Sequence, residues 1–543
     1  MRSIGALLIS ALMLTGCGKD KEAAVDVDSM AGSAPEAKDA IQGGTFTWGR
    51  SGDASYLDPA VVTDGESVMV VTNIFDTLVA YEPGTINIIP WLAESWETSA
   101  DDLLWTFKLR EGVKFHDGSD CDADAVVFSV MRQKDKDHPA HVGTFAYYSD
   151  NFALLKNVEA VDKHTVRFTL SRKYAPFLAT MSLFSMGVVS PTAWASEGKD
   201  KNGKYKYDFA HHPVGSGPFQ FKEWKIDERI VLVANENHFM GRPHVDRLVF
   251  RPIKDARARL KDLQADGVQA MDNPDLVDIA GAEADPDLTV LSQPGLNVCY
   301  MAMNTMRAPF DNVKVRQAIA LAIHKKRLIA AAYHGIGEPA ATMCPKGIVG
   351  HLDIESRKPD IEAAKKLLAE AGFPDGFETE LWHGDVQRAY MPDPDAVAIQ
   401  IQLDLKDIGV RATIKRMEWS AYIPATRRGE HSMCLLGWMA DYGDPHNFLY
   451  VLMDKDNARV GSANNVSFYR GEAYSKLVHA AQEESDPTKR IALYEDAQRI
   501  LHDESPTVPL VQIPDFRVVR KNVRGLYIYP VGGEYFRTVS FAK

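Results

Sequence analysis

The stretch "FETELWHGDVQRAYMPDPDAVAIQIQLDLKDIGVRATIKRMEW", Phe377 to Trp419, decides the fold. It predicts a strand at Phe377 to His383, a loop, a helix at Asp395 to Gly409 and a second strand at Val410 to Trp419. Strand, crossover helix, strand is the order that builds a parallel β-α-β unit. The apolar run "SMCLLGW", Ser432 to Trp438, predicts another strand soon after. In open sheets of this kind, ligands bind beyond the carboxyl ends of the strands. Two loops meet that condition: the one after His383, carrying Arg388 and Tyr390, and the one after Trp438, carrying Asp441.

Asp441 sits in "GWMADYGDPH", residues 437 to 446, beside a Trp and between glycines, with no basic residue nearby in sequence. A carboxylate losing solvation there needs either water or a cation brought from elsewhere. Arg388 and Asp441 at one sheet edge would suit a zwitterion, the Asp accepting from an α-ammonium and the Arg gripping an α-carboxylate with its bidentate fork. Spacing alone favours the plainer reading, in which the two pair with each other or with surface water, as most Asp and Arg residues do.

Outward from this unit, "DNVKVRQAIALAIHKKRLIAAAYHG", residues 311 to 335, predicts one long helix with Val315, Ala318, Ile319, Ala322 and Ile323 on one face. Asp311 or Asn312 would cap it and Gly335 would stop it. "DIEAAKKLLAEAGFP" predicts a helix from Asp360 to Gly372, with Pro374 beyond as terminator. Towards the N-terminus the runs "TFTWGR", "TLVAYE", "LWTFKLR" and "TVRFTLSR" read as strands, and "DADAVVFSVMRQK" as a helix with acidic cap candidates. At residues 212 to 224, "HPVGSGPFQFKEW" packs turn-formers before a strand and reads as a return from one domain to another, with strands following at "RIVLVAN" and "RLVFRPI". The fold class is α/β.

A chain of 543 residues exceeds what one core supports and divides into domains. Its formal net charge of -13 and the absence of basic clusters interleaved with aromatics argue against nucleic-acid binding. The apolar run Ile4 to Gly16 is too short to span a bilayer and fits a signal-peptide core. It ends in "LTGC", and small residues before Cys17 resemble the lipobox of bacterial lipoproteins, in which the cysteine is lipidated. Residues 18 to 42, polar and rich in small side chains, read as a flexible tether. Cys121, Cys299, Cys344 and Cys434 show no metal-ligand spacing, and their pairing is open. No nucleophile elbow, zinc-protease motif, phosphate loop or dinucleotide fingerprint is present, so neither catalytic residues nor cofactors are expected. "VGSGPF" precedes a strand and reads as a structural turn, and the "HH" and "FHDG" histidines as surface or structural groups.

With "GWMADYGDPHNFL", "DVQRAYMP", "DNVKVRQAIALAIHKKRLI", "VGSGPFQF", "EGVKFHDG" and "IIPWLAESWE" in order, the chain from about Gly43 onward resembles the extracytoplasmic solute-binding proteins of peptide ABC transporters. The resemblance implies a two-lobed periplasmic-binding-protein-like fold of three domains, one discontinuous. Domain I would comprise 43 to 85, 214 to 296 and 512 to 543, domain II 86 to 213 and domain III 297 to 511. It also implies that Asp441 binds a peptide α-ammonium, that Arg388 and Tyr390 contact the carboxylate, that Trp438 lines the pocket, and that the backbone at Thr63 and Gly65 approaches the ligand. The disulfide cysteines expected of a dipeptide-binding relative have no evident counterpart. The implied function is capture of a dipeptide or short peptide by a monomeric lipoprotein, anchored in the periplasm or cell envelope, and delivery to a membrane permease. Longer peptides, haem, a nickel complex or glutathione are the alternative ligands within the family. A cell-wall-peptide hydrolase and a non-transport surface lipoprotein are the readings outside it.

Overall fold

A computed structural model describes residues 40–542. Cys17, the rest of the lipobox and tether residues 18–39 lie outside the described residues. The described chain is a mixed α/β structure built around three larger sheets.

The first sheet has seven strands in the order Leu288–Gln293, Asp515–Arg520, Ala270–Asp272, Thr45–Arg50, Arg247–Pro252, Arg229–Ala234 and Phe219–Lys225. Its strands come from three stretches of sequence far apart, and Phe46 and Trp48 are fully buried on it. The predicted "VGSGPF" turn leads into its last strand. A Cβ on Gly215 would lie 2.0 Å from the Ile74 carbonyl, so only glycine lets the turn lie against the end of helix Gly65–Ile74. The second sheet is a four-stranded antiparallel one, Ala93–Thr98, Leu104–Leu109, Thr165–Leu170 and Leu155–Asp162, whose alternating pattern buries Phe107 and Phe168.

The third sheet carries the β-α-β unit. Its order is Glu338–Pro339, Thr507–Gln512, Asn297–Met303, Met433–Met439, Glu378–Gly384 and Arg411–Met417. Glu378–Gly384 pairs in parallel with both Arg411–Met417 and Met433–Met439. The carboxyl ends of these three strands therefore share one edge. The crossover helix is Pro394–Lys406, capped by Asp393 with Pro394 in its first turn. All seven residues of the central strand Asn297–Met303 are buried, as expected for a strand covered on both faces.

The long helix expected at 311 to 334 is two helices, Val313–Ala322 and Lys325–Ala332. Asn312 caps the first, and the chain breaks at Ile323, where ψ is 121°. His324 then caps the second, its Nδ1 accepting from the Arg327 amide at 3.3 Å, while its own N–H donates to Asp404 at 2.7 Å. The apolar face is kept across the break: Val315, Ala318, Ile319, Ala322 and Ile323 are all buried. The helix Ile361–Glu370 is capped by Asp360 and closes before Gly372, at φ 92°. The strand expected to reach Trp419 stops at Met417, because Glu418 caps a further helix, Trp419–Arg427.

One apolar cluster runs from Phe107 and Phe168 on the four-stranded sheet to Tyr300, Trp382 and Leu436 on the six-stranded one. The four-stranded and six-stranded regions thus share a contact surface. Cys121, Cys299, Cys344 and Cys434 are buried free thiols.

Candidate functional site

The loop after strand Glu378–Gly384 is pinned at its start and tightened in its middle. The Asp385 amide donates to Met417 O at 2.9 Å, and the Asp385 carboxylate accepts from the Trp419 amide at 3.0 Å. Arg388 and Met391 then exchange two backbone hydrogen bonds, of 3.1 and 2.8 Å, closing a turn with Arg388 at its head. The Arg388 guanidinium lies over the Trp419 ring, 4.1 Å from its centroid. Its Nε is buried with no hydrogen-bond partner, and no carboxylate among the described residues lies within ion-pair distance of it. The guanidinium is thus stacked on an indole with its Nε unpaired.

Tyr390, two residues on, turns the opposite way. Its ring lies against strand Met433–Met439 at Gly437, where a Cβ would sit 2.2 Å from the ring's Cδ2. Its carbonyl accepts from the Tyr333 hydroxyl at 3.0 Å, and burial pushes its phenol above the ordinary value. Tyr390 is 8% exposed, so it acts as the peg that fixes the Arg388 turn to the neighbouring strand.

Past that strand, a single side chain organises Trp438 and Asp441. The Asn447 Oδ1 accepts from the Trp438 indole and from the Asp441 amide, both at 3.0 Å. The Asn447 Nδ2 donates to Asp441 Oδ2 at 3.1 Å. The other carboxylate oxygen accepts from the Tyr147 hydroxyl at 3.1 Å. No cation among the described residues is within ion-pair distance of Asp441. Burial pushes its carboxyl up to about 6 against the lowering hydrogen bonds from Asn447 and Tyr147, and Asp150 adds to the rise. Burial and the facing Asp441 likewise hold the Tyr147 phenol well above its ordinary value.

The next residues make further tertiary contacts. The Gly443 amide donates to the Tyr81 hydroxyl at 3.0 Å, and a Cβ there would meet the Ile86 Cβ at 2.7 Å. Asp444 takes a bidentate grip from Arg490 at 2.8 Å on both arms, which fixes the turn from behind.

The structure thus brings Trp438 and Asp441 together through Asn447, and places Arg388 and Tyr390 on the adjoining loop of the same edge. Arg388 and Asp441 do not pair with each other. Thr63 and Gly65 are exposed at the start of helix Gly65–Ile74, flanking its cap Asp64, whose charge reaches Tyr147. Among the described residues, no hydrogen bond ties Thr63 or Gly65 to Asp441 or Arg388. Sequence reading missed Asn447 and Tyr147. Asn447 left a faint mark, an amide in the first turn of a helix opened by Pro445. Tyr147, 294 residues from its partner, left none.

Residues 87–459 match the profile described as the bacterial extracellular solute-binding proteins, family 5, middle region. The chain belongs to this family. It is similar to the haem-binding protein A of Haemophilus influenzae, 39% identical over 89% of this chain and 90% of the relative. It is similar to the dipeptide-binding protein of Escherichia coli, 35% identical over 92% and 95% respectively. Among solved structures it resembles an ABC transporter-associated periplasmic binding protein of Helicobacter pylori in complex with the peptide STSA. That match has a TM-score of 0.82 and 35% identity, and covers 93% of this chain and 99% of the other. The fold is the two-lobed one of these solute-binding neighbours. As a solute-binding protein the chain works outside the cytoplasm, and among the described residues no helix is long and apolar enough to cross a membrane.

Proposed function

We propose that this solute-binding protein captures a short peptide with free termini, a dipeptide first, and presents it to an ABC permease for uptake. The observation that carries this reading is the pair of opposite charges, Asp441 and Arg388, at one sheet edge, each without a countercharge. Asp441, offered only neutral donors, takes the α-ammonium; Arg388, stacked and open, takes the α-carboxylate. Trp438 walls the space between them, Tyr390 positions the arginine, and the backbone at Thr63 and Gly65 approaches from the other side. The two solute termini then set the length of ligand that fits. Binding shifts a hinge equilibrium towards the closed form, since the ligand touches both lobes. The protein performs no covalent chemistry.

The same reading divides the chain into domain I (43–85, 214–296 and 512–543), domain II (86–213) and domain III (297–511), a division supported by the membership of the three sheets. It places the protein in the periplasm or cell envelope as a monomer, anchored through lipid on Cys17.

The haem-binding relative favours haem as a second reading. Calorimetric titration with dipeptides, their N-acetyl and C-amide forms, longer peptides, haem, nickel and glutathione decides between them. Free dipeptides are expected to bind and both blocked forms to bind weakly. Haem binding with indifference to every peptide would overturn the proposal.

A further inference from the structure

Beyond Asn447, helix His446–Met453 runs into a short 3-10 turn, Lys455–Asn457, which faces helix Glu472–Glu483. Asp454 and Asp456 on the turn and His479 on the helix converge there, with one donor atom of each lying within 4.8 Å of the others. The His479 Nε2 stands 3.3 Å from Asp454 Oδ1 and 3.2 Å from Asp456 Oδ2. Those separations are long for a charge-assisted hydrogen bond, which runs about 2.7 to 2.9 Å. They match the edge of a coordination tetrahedron: bonds of about 2.0 to 2.1 Å to zinc put neighbouring ligand atoms roughly 3.3 Å apart.

A second observation is independent of that spacing. The Asp454 side chain is fully buried, and its Oδ2 has no hydrogen-bond partner. The buried Ser475 hydroxyl is only a weak donor to that carboxylate, in poor geometry, beside the stronger bonds from His479 and the Asp456 amide. A buried, under-satisfied carboxylate oxygen is costly unless a ligand completes it. The surrounding cations are engaged elsewhere, Lys455 with Glu472 and Arg172 with Glu483 at 3.1 Å. His479, raised above its ordinary value by its hydrogen bond to Asp454, balances one of the two carboxylates when protonated and leaves the second without a countercharge. His479 and Asp456 are part-exposed, leaving a side open for water ligands.

We infer that Asp454, Asp456 and His479 form a binding site for one divalent transition-metal ion, zinc in the first place. Nitrogen with carboxylate oxygen suits zinc better than magnesium or calcium, which prefer all-oxygen shells. The ion would clamp the far end of the helix whose first turn carries Asn447, so it would stiffen the support of Asp441 without touching the solute.

The test uses the full chain, zinc titrated by calorimetry, and cobalt(II) as a spectroscopic substitute. One zinc per chain is expected, with the visible bands of four-coordinate cobalt and a zinc-dependent rise in Tm that magnesium does not give. His479→Ala should abolish the cobalt bands, and Asp456→Asn should weaken zinc at least about tenfold. His211→Ala, at an exposed histidine paired with Asp208, should change neither. Zinc affinity in His479→Ala equal to the parent's, or no saturable binding at one per chain, overturns the site. Should His479→Ala fail to fold, Asp456→Asn decides: unchanged zinc affinity refutes the assignment, and the expected loss supports it.

Discussion

Replacing Asp441 by Asn should weaken the solute complex and strengthen the empty protein, two effects of opposite sign from one atom's charge. Within the chain the carboxylate accepts only from the neutral Tyr147 hydroxyl and Asn447 amide, and burial, with a smaller push from Asp150, lifts its pKa from 3.8 to about 6. That lift corresponds to roughly 3 kcal/mol of disfavour for the charged form at neutral pH, an upper figure for what neutralisation returns. The sign follows from linkage: a carboxyl raised by folding destabilises the native state fully above about pH 6, and the penalty fades as pH falls towards the unfolded value. Asp441→Asn should therefore melt higher than the parent at pH 8, and the two should converge near pH 4. Binding runs the other way. Losing a charge partner for a buried ammonium costs on the order of 3 kcal/mol, about a hundredfold in Kd. Parent affinity should itself fall about tenfold per pH unit below about 6, while the variant stays flat. The assay is calorimetry of free and N-acetyl dipeptides on both proteins, with thermal melts across pH. Acetylation and mutation should not add, because both remove one interaction. Additive losses, or a variant that melts lower at pH 8, would refute the assignment of Asp441 as an unpaired acceptor for the ammonium.

Three other outcomes are expected. Arg388→Ala should erase the preference for a dipeptide over its C-terminal amide, a loss of about 2 to 5 kcal/mol for the acid form, and equal affinity for both forms in the parent would contradict it. Gly437→Ala would drive a Cβ to 2.2 Å from the Tyr390 ring, so denaturant melts should show about 1 to 3 kcal/mol of destabilisation and calorimetry a weakened solute, since the displaced peg carries the Arg388 turn; parental stability with parental affinity would show that the ring is not wedged. Cys17→Ser should yield unlipidated protein released from membranes on fractionation, and its recovery with membranes at unchanged mobility would remove the lipobox reading.

The sheet edge was legible because it depends on order along the chain: apolar runs, a capped helix between them, and charged residues just past strand ends. The same local logic placed the "VGSGPF" turn and the start of the helix at Asp360. It failed at Ile323, where the apolar spacing continues unbroken through two helices. At the break the Asp404 carboxylate, 80 residues away, takes the His324 amide, a partner that no local pattern announces. It failed again at Tyr147, whose partnership with Asp441 exists only through tertiary packing. Asn447 lies between these cases, local to its partners yet indistinguishable in sequence from any helix-opening amide. Arg388 and Asp441 could be singled out in sequence, but only side-chain positions show that neither is neutralised by the other.

The seven-stranded sheet has a bearing on how the chain is made. Its strand Thr45–Arg50 lies between Arg247–Pro252 and Ala270–Asp272, and the latter pairs with Asp515–Arg520, which alone holds Leu288–Gln293 in the sheet. A ribosome that has released the first 500 residues has supplied every element of the Asp441 edge except strand Thr507–Gln512, yet Leu288–Gln293 still lacks its only neighbour. Completion of this sheet waits for the last tenth of the polypeptide, and pairing across such sequence distances is slow. The seven-stranded sheet therefore stays without two of its strands, Asp515–Arg520 and its edge neighbour Leu288–Gln293, until nearly all of the chain has been made.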